Sequence, residues 1–292
     1  MGVMQGTTLD GNSEAIEAWN TVLFDKFCAY RDILCTGLGL HGEAAMDRAE
    51  PKPGEIVLDL GCGFGDTTQV LARRVGPTGQ ATGIDAAARF IEVARREAKE
   101  AGADNTRFLV GDVQGADLGG PYDLAFSRMG MMFFASPVAA LRNVGKALGS
   151  GGRLAMVVWR KKDENPFLAL VEQRVLEIVS VPEQTNQVTC GPGPFSMASA
   201  DVVSAQLLAA GFERPTFERF DGEIYVGRDL EAAMEFALTL GPAGEVMRLA
   251  GAEAERRRPE ILAAVSEVLA PYVRPDGVFG GSSSWIVTAR VP

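Results

Sequence analysis

An α/β fold wound on a mostly parallel sheet is predicted by three observations. Short β-branched runs alternate with longer helical patterns from Glu55 to Trp159. Glycines stop those helices one after another, and a glycine-rich turn joins the first strand of the series to its first helix. Such an alternation stacks parallel strands side by side and covers both faces of the sheet with helices.

Within this stretch strands are expected at residues 56–60, 80–84, 106–110, 122–127 and 153–159, and helices at 66–75, 87–101 and 136–148. Pro77 and Gly79 close the first helix, Gly102 the second, and Gly149-Ser150-Gly151-Gly152 the third. After Trp159 the rhythm breaks. A helix is expected at 166–179, then a Pro/Gly-rich loop through Cys190-Gly191-Pro192-Gly193-Pro194. A helix at 200–210, stopped by Gly211, and a strand near 215–220 resume the pattern. A helical block at about 230–272 precedes a last strand at 285–290, and the Gly280-Gly281-Ser282-Ser283-Ser284 run before that strand reads as flexible. Residues 13–48 read as helical, with Trp19, Leu23, Phe27, Tyr30 and Leu34 at three- and four-residue spacings.

The chain is therefore expected to divide into an N-terminal helical lid (1–50), a Rossmann-like core (51–160), a cap insertion (161–199), a core continuation (200–221), a helical cap insertion (222–282) and a final core strand (283–292). Its 292 residues suffice for one large domain with such insertions. The longest apolar stretches, such as Leu154 to Trp159, stop far short of a bilayer span.

A net charge of −10 repels phosphate backbones. The compact basic groups, Arg73-Arg74, Arg95-Arg96 and Arg256-Arg257-Arg258, sit in helical segments among acids and read as solvated faces, so nucleic acid is not an expected partner. The first residues hold no basic segment followed by an apolar run, and Cys28, Cys35, Cys62 and Cys190 form no C-x-x-C pair or Cys/His cluster. A cytoplasmic protein with reduced thiols and no structural zinc is expected. No divalent-metal set is expected either, because Asp112 and Asp123 lack the further oxygen ligands such a site needs.

Val57-Leu58-Asp59-Leu60-Gly61-Cys62-Gly63-Phe64-Gly65 places three alternating glycines between a strand and a helix. Such a turn lets a ligand approach the backbone at a helix N-terminus. A dinucleotide site asks for a third glycine where this chain has Asp66, and a carboxylate there repels a pyrophosphate. The next strand ends in Gly83-Ile84-Asp85 and the third in Val110-Gly111-Asp112-Val113. An acid at the second tip can accept ribose hydroxyls and one at the third an exocyclic amine, which together describe an adenosine pocket without phosphates.

These segments, with Tyr122-Asp123-Leu124-Ala125-Phe126-Ser127 and Leu148-Gly149-Ser150-Gly151-Gly152-Arg153-Leu154, resemble the class I S-adenosylmethionine-dependent methyltransferase family, in particular its ubiquinone/menaquinone-biosynthesis-like and small-molecule branches. The resemblance is strong over roughly residues 50–160. It implies a Rossmann-like seven-stranded sheet whose last strand, filled here by 285–290, runs antiparallel. It also implies S-adenosyl-L-methionine as cofactor. Gly61, Cys62, Gly63 and Gly65 would line its methionine end, and Asp59 would order the turn and the amino group. Asp85 and Ala86 would hold the ribose, and Asp112 with Val113 the adenine. Thr67 and Ser127 would add polar contacts near the methionine and the sulfonium.

Methyl transfer from a sulfonium needs alignment and the exclusion of water more than it needs catalytic groups. Two side chains are candidates for a catalytic part. His41, the only histidine, precedes the first strand and could face the cofactor mouth as a proton acceptor, against a reading as a loop residue that caps a helix or meets solvent. Arg128 could hold an acidic or phenolate acceptor, against a reading as the partner of a nearby carboxylate. Met129 to Phe134 suit an apolar substrate floor, and Trp19, Phe24, Phe27, Tyr30, Phe195, Met197, Tyr225, Phe236 and Met247 suit a roof, although each is also at home in ordinary core.

The expected reaction is transfer of a methyl group to an O, N or C atom of an apolar, cyclic small molecule, the partner being that acceptor. Three alternatives stay open: an NAD(P)-linked oxidoreductase on a related sheet, a module that binds the cofactor without turnover, and a non-methylating enzyme that uses the same cofactor. No Tyr-x-x-x-Lys proton-transfer set accompanies the first of these. Oligomeric state is not legible in the sequence.

Overall fold

The computed structural model describes residues 12–181 and 191–292; residues 1–11, which carry most of the segment read for a leader, and residues 182–190, which include Cys190, lie outside the described residues. Helices α1 (Ser13–Asn20), α2 (Val22–Ala29) and α3 (Gly39–Ala49) precede the sheet, with a π-helical turn at Ile33–Gly37. The helical stretch expected at 13–48 is therefore three helices. Thr21 leaves helical dihedrals at φ −122°, ψ −101°, and breaks the first pair.

The alternation follows as expected: β1 (Ile56–Leu60), α4 (Asp66–Val75), β2 (Gln80–Asp85), α5 (Ala88–Glu100), β3 (Thr106–Val110), β4 (Tyr122–Arg128), α6 (Pro137–Ala147) and β5 (Leu148–Trp159). Then come α7 (Pro166–Leu176), α8 (Ala200–Ala210), β6 (Glu213–Gly227), α9 (Leu230–Thr239), α10 (Gly241–Ala250), α11 (Ala252–Arg256), α12 (Arg258–Leu269), a two-residue β7 (Val273–Arg274) and β8 (Gly277–Arg290). The sheet runs β3-β2-β1-β4-β5-β8-β6, with β7 paired to β8 off that path. β1 to β5 are mutually parallel, and β8 is antiparallel to both its neighbours. α4 packs on β1 to β3, α5 on β2 and β3, and α6 on β5. Among the described residues no helix is long and apolar enough to cross a membrane.

Two elements run well beyond their expected bounds. β6 and β8 form a ribbon that pairs from Glu213↔Arg290 to Gly227↔Val278, whereas β5 stops pairing with β8 at Trp159↔Ser284. The far half of the ribbon thus projects past the carboxyl edge of the parallel strands. Helices α9 to α12 are inserted at its tip and pack with α7, burying Val171, Val175, Phe236, Met247, Ile261 and Val265. Phe236, Met247 and Met197, expected as roof, are core.

The Gly280-Ser284 run, read from composition as flexible, lies inside β8, with Ser282, Ser283 and Ser284 at 5%, 2% and 0% exposure. Its small residues are a packing requirement. A Cβ at Gly280 would stand 2.6 Å from the Phe167 ring. The Ser282 and Ser284 hydroxyls meet His41, which corrects the expectation that this residue faces a ligand mouth. His41 is fully buried on α3, with Nδ1 2.7 Å from Ser284 Oγ and Nε2 2.7 Å from Ser282 Oγ. Ser282 donates its proton to the Gly222 carbonyl at 2.8 Å, so Nε2 is the donor to Ser282 and Nδ1 accepts from Ser284. Trp159 and Phe220 pack edge-on against the ring. The neutral imidazole therefore clamps α3 to the point where β8 leaves β5.

Burial lowers the His41 pKa from its ordinary 6.5 to about 4, with Asp221 opposing weakly. On acidification the unfolded chain takes up this proton first. The stability held by the clamp is fully present above pH 6.5 and is lost as the pH falls from there to about 4. The whole effect is roughly 3 kcal/mol. Urea midpoints at about pH 7.5 and about pH 4.5 are expected to diverge more in wild type than in His41→Gln, which cannot titrate; equal divergence would contradict a buried neutral histidine.

Candidate functional site

The carboxyl ends of β1, β2 and β3 meet at the glycine turn. The Gly61 and Cys62 amides both donate to the Ile84 carbonyl, at 2.9 and 3.1 Å, and the Gly65 amide closes the turn on the Cys62 carbonyl at 2.9 Å. Gly65 stands before α4 at φ 78°, where a Cβ would lie 2.7 Å from Phe108 and 2.9 Å from Ala94. Gly63 also has positive φ, 53°, but its nearest neighbour is the Phe90 ring at 4.0 Å. One glycine is thus required by packing, and the other leaves open room over the turn.

Asp85, the last residue of β2, accepts the Gly63 amide at 3.0 Å and the Ala87 amide at 2.9 Å. Burial raises its pKa while the two amides oppose that rise. Ala86 lies half-buried beside it. Asp59 is buried in β1, where one carboxylate oxygen accepts the Thr68 hydroxyl at 2.7 Å and the other, Oδ1, has no partner. Burial pushes Asp59 up to about 7, against the lowering effects of Thr68 and Arg128. An unpaired buried oxygen is costly, and a donor placed there satisfies it.

Asp112, just after β3, is crowded. Its Oδ1 accepts the Gln114 amide and side chain, both at 3.0 Å, and its Oδ2 accepts Gln114 Nε2 at 3.2 Å and Asn12 Nδ2 at 2.7 Å. Val113 is buried, with its carbonyl held by Asn143 at 2.9 Å. Ser127 is buried and donates to the Leu60 carbonyl at 2.9 Å, so it braces the end of β1. Cys62 is buried too, its Sγ against Gly83, and burial pushes its thiol well above the ordinary value.

Arg128, at the end of β4, is a further correction. Its guanidinium meets Asp66 Oδ2 at 2.5 Å and the Cys35 carbonyl at 3.4 Å, so its charge is already matched within the chain. Asp66 in turn sits in the first turn of α4, where a helix favours a carboxylate. Thr67 lines a cavity of about 270 Å3 beside this pair, together with Cys35, Gly39, Glu43, Asp66 and Arg128. That volume falls just below the range of about 300–1,000 Å3 usual for small-molecule sites.

The structure therefore gathers Asp59, the glycine turn, Asp85, Ala86, Asp112, Val113 and Ser127 at one edge, with Thr67 and Arg128 at its flank and His41 apart. The sequence reading missed Asn12, Gln114 and an aromatic cluster in which Phe24, Phe64 and Phe90 pack edge to face. Gln114 was findable, since an acid with an amide side chain two residues on bonds locally. Asn12 lies a hundred residues away in the chain and left no local signal. Among the described residues no three His, Cys, Asp or Glu side chains gather as metal ligands.

The chain matches known proteins in the same region. A family described as "Methyltransferase domain" matches residues 51–213. Aklanonic acid methyltransferase DauC of Streptomyces sp. (strain C5) is 36% identical over 151 residues, covering 49% of this chain and 67% of that protein. Nocamycin O-methyltransferase of Saccharothrix syringae is 29% identical over 205 residues, covering 65% and 71%. Among solved structures, a Bacillus halodurans C-125 protein described as a methyltransferase superposes with a TM-score of 0.57 at 18% identity, covering 87% of this chain and all of that one. That likeness bears on the fold, which is the Rossmann-like one implied by the sequence.

Separate costs are expected at the two glycines. Gly65→Ala is expected to lose roughly 2–4 kcal/mol of stability through its clash with Phe108 and Ala94. Gly63→Ala is expected to lose only about 1–2 kcal/mol to left-handed strain, and to weaken S-adenosylhomocysteine binding at least about tenfold. Thermal melts and titration calorimetry read both effects; a Gly63→Ala chain that binds as tightly as wild type argues against an open cradle over the turn.

Proposed function

The chain belongs to the methyltransferase-domain family, and from that premise we propose that it moves a methyl group from S-adenosylmethionine to an O, N or C atom of an apolar, cyclic small molecule. The observation that carries this reading is the set of three carboxylates, Asp59, Asp85 and Asp112, at the ends of successive parallel strands around one glycine turn. The guanidinium groups beside the turn are already paired, Arg128 with Asp66 and Arg31 with Glu97. Such a site suits a cofactor that brings hydroxyls and amines, and offers a pyrophosphate little.

In this reading Asp59 Oδ1 takes the amino group of the methionine end. Asp85 takes the ribose hydroxyls on lone pairs that Gly63 and Ala87 leave free, and Asp112 with Val113 takes the adenine. The open side of Gly63 lets the ligand lie against the turn, Ser127 braces the end of β1 through the Leu60 carbonyl, and Thr67 with Ser127 adds polar contacts near the methionine end and the sulfonium. When bound, the cofactor supplies a methyl group already activated by its sulfonium for in-line displacement. The chain's own task is to align the acceptor and to keep water out.

Neither the candidate proton acceptor, His41, nor the candidate acceptor-holding cation, Arg128, is free for that part. His41 is clamped between two serines and Arg128 is paired, so the reading favours an acceptor that is nucleophilic near neutrality, such as a carboxylate, phenolate or enolate. The relatives named for aklanonic acid and nocamycin support a small-molecule acceptor. The net charge of −10 supports the same choice over nucleic acid, and a cytoplasmic location belongs to this reading.

Titration calorimetry with S-adenosylhomocysteine is expected to give a single site in wild type. Asp85→Asn is expected to bind at least about tenfold more weakly, since bonds to a charged acceptor become bonds to a neutral one. Incubation with S-adenosylmethionine and a panel of carboxylic acids, phenols, quinones and amines is expected to yield a product heavier by one methyl group, read by mass spectrometry. Equal affinity in Asp85→Asn would overturn the ribose assignment, and tight binding without product across the panel would favour a non-transferring module.

A further inference from the structure

The N-terminal helices do more than roof the site; they occupy part of it. Asn12, immediately before α1, places Nδ2 2.7 Å from Asp112 Oδ2, while Gln114 makes the other three contacts with two donors, its backbone amide on Oδ1 and its Nε2 across both oxygens. A carboxylate offers about four acceptor sites, two on each oxygen, and each Asp112 oxygen already carries two contacts, with Asn12 standing on the side of Oδ2 that Gln114 leaves. Behind Asn12, the Trp19 ring lies 5.1 Å from Phe133 and 6.5 Å from Phe90, and the Phe24 ring 4.9 Å from Phe90 and 6.1 Å from Phe64. Aromatic side chains of α1 and α2 thereby rest on the glycine turn's own Phe64 and on the first turn of α5.

These helices are held as a unit from two sides. Towards α5, Arg89 reaches Asp25 at 3.0 Å and the Asn20 carbonyl at 3.2 Å while lying 4.0 Å over the Phe24 ring, and Arg31 makes a twin contact with Glu97. Towards the cap, Lys26 donates to the Thr239 carbonyl at 3.1 Å and the Tyr30 hydroxyl lies 3.2 Å from Thr239 Oγ1. Most of these polar contacts are at least partly exposed and individually weak, which suits a part that opens.

We propose that α1 and α2 form a self-plug of the adenosine seat, in which the Asn12 carboxamide stands on Asp112 where the exocyclic amine of adenine must go. This rests on the cofactor reading above. The carboxamide NH2 and the adenine amine are the same kind of donor, and the second cannot stand on Asp112 Oδ2 while the first holds it at 2.7 Å. Cofactor entry therefore competes with the plug, and the apparent affinity is the intrinsic one reduced by the fraction of chains in which the plug is out.

The test compares full-length wild type, Asn12→Ala, Asn12→Asp and Asp85→Asn with S-adenosylhomocysteine, by titration calorimetry for Kd and stopped-flow fluorescence for the two rate constants. Asn12→Ala is expected to bind about tenfold more tightly through faster association, with dissociation unchanged. Asn12→Asp, which sets a second carboxylate against Asp112, is expected to shift in the same direction. An Asn12→Ala affinity equal to wild type, with Asp85→Asn still weakened, overturns the plug and leaves the cofactor reading intact. Weaker binding with faster dissociation also overturns it, because the helices would then close over bound cofactor. No binding by any of the four chains overturns the cofactor reading and the plug together.

Discussion

The Asp85 carboxylate accepts the amides of Gly63 and Ala87, and the geometry of the whole site depends on that pair of bonds. Helix starts leave amides without acceptors, and a parallel sheet collects several such starts along one edge. One half-buried acid here serves both the turn after β1 and the entry to α5. It fixes the spacing between them with one bond to each of its oxygens. In the proposed cofactor reading, the ordering of the turn and the capture of a hydroxyl-bearing ligand are two uses of the same carboxylate. The unpartnered Oδ1 of Asp59 extends the arrangement one strand inward, and Asp112 extends it one strand outward.

A second constraint decides what stands over this edge. The β6–β8 ribbon outruns β5 and carries α9 to α12 beyond the ends of the parallel strands, and the His41 bonds to Ser282 and Ser284 pin its base to α3. The cap meets α2 through Thr239, and α1 meets Asp112 through Asn12. The lid, the cap and the nucleoside side of the site are thus joined by one chain of contacts. A side chain first considered for catalysis serves as an anchor of that superstructure, in keeping with a reaction that asks the protein for alignment and dryness.

What was legible in the sequence divides along the same line. β1, β3 and α4 match their expected bounds because each is fixed by local signals: β-branched runs, helical periodicity and glycine stops. The placement of Asp59, Asp85 and Asp112 at the strand ends was legible because it follows from the strand bounds themselves. The Gly280–Ser284 run was not, because the same small residues make a flexible linker in isolation and a close-packed strand against Phe167 and His41. His41, Arg128 and Asn12 owe their roles to partners between 62 and 243 residues away in the chain. No local pattern encodes such pairings.

The most direct measurement is a crystal structure of the chain with S-adenosylhomocysteine bound. The account predicts ribose hydroxyls within hydrogen-bond distance of Asp85, an adenine amine on Asp112 with the Asn12 side chain moved off it, and an amino group at Asp59 Oδ1. Ligand density away from these three acids, for instance in the cavity beside Arg128, with Asn12 still on Asp112, would contradict it.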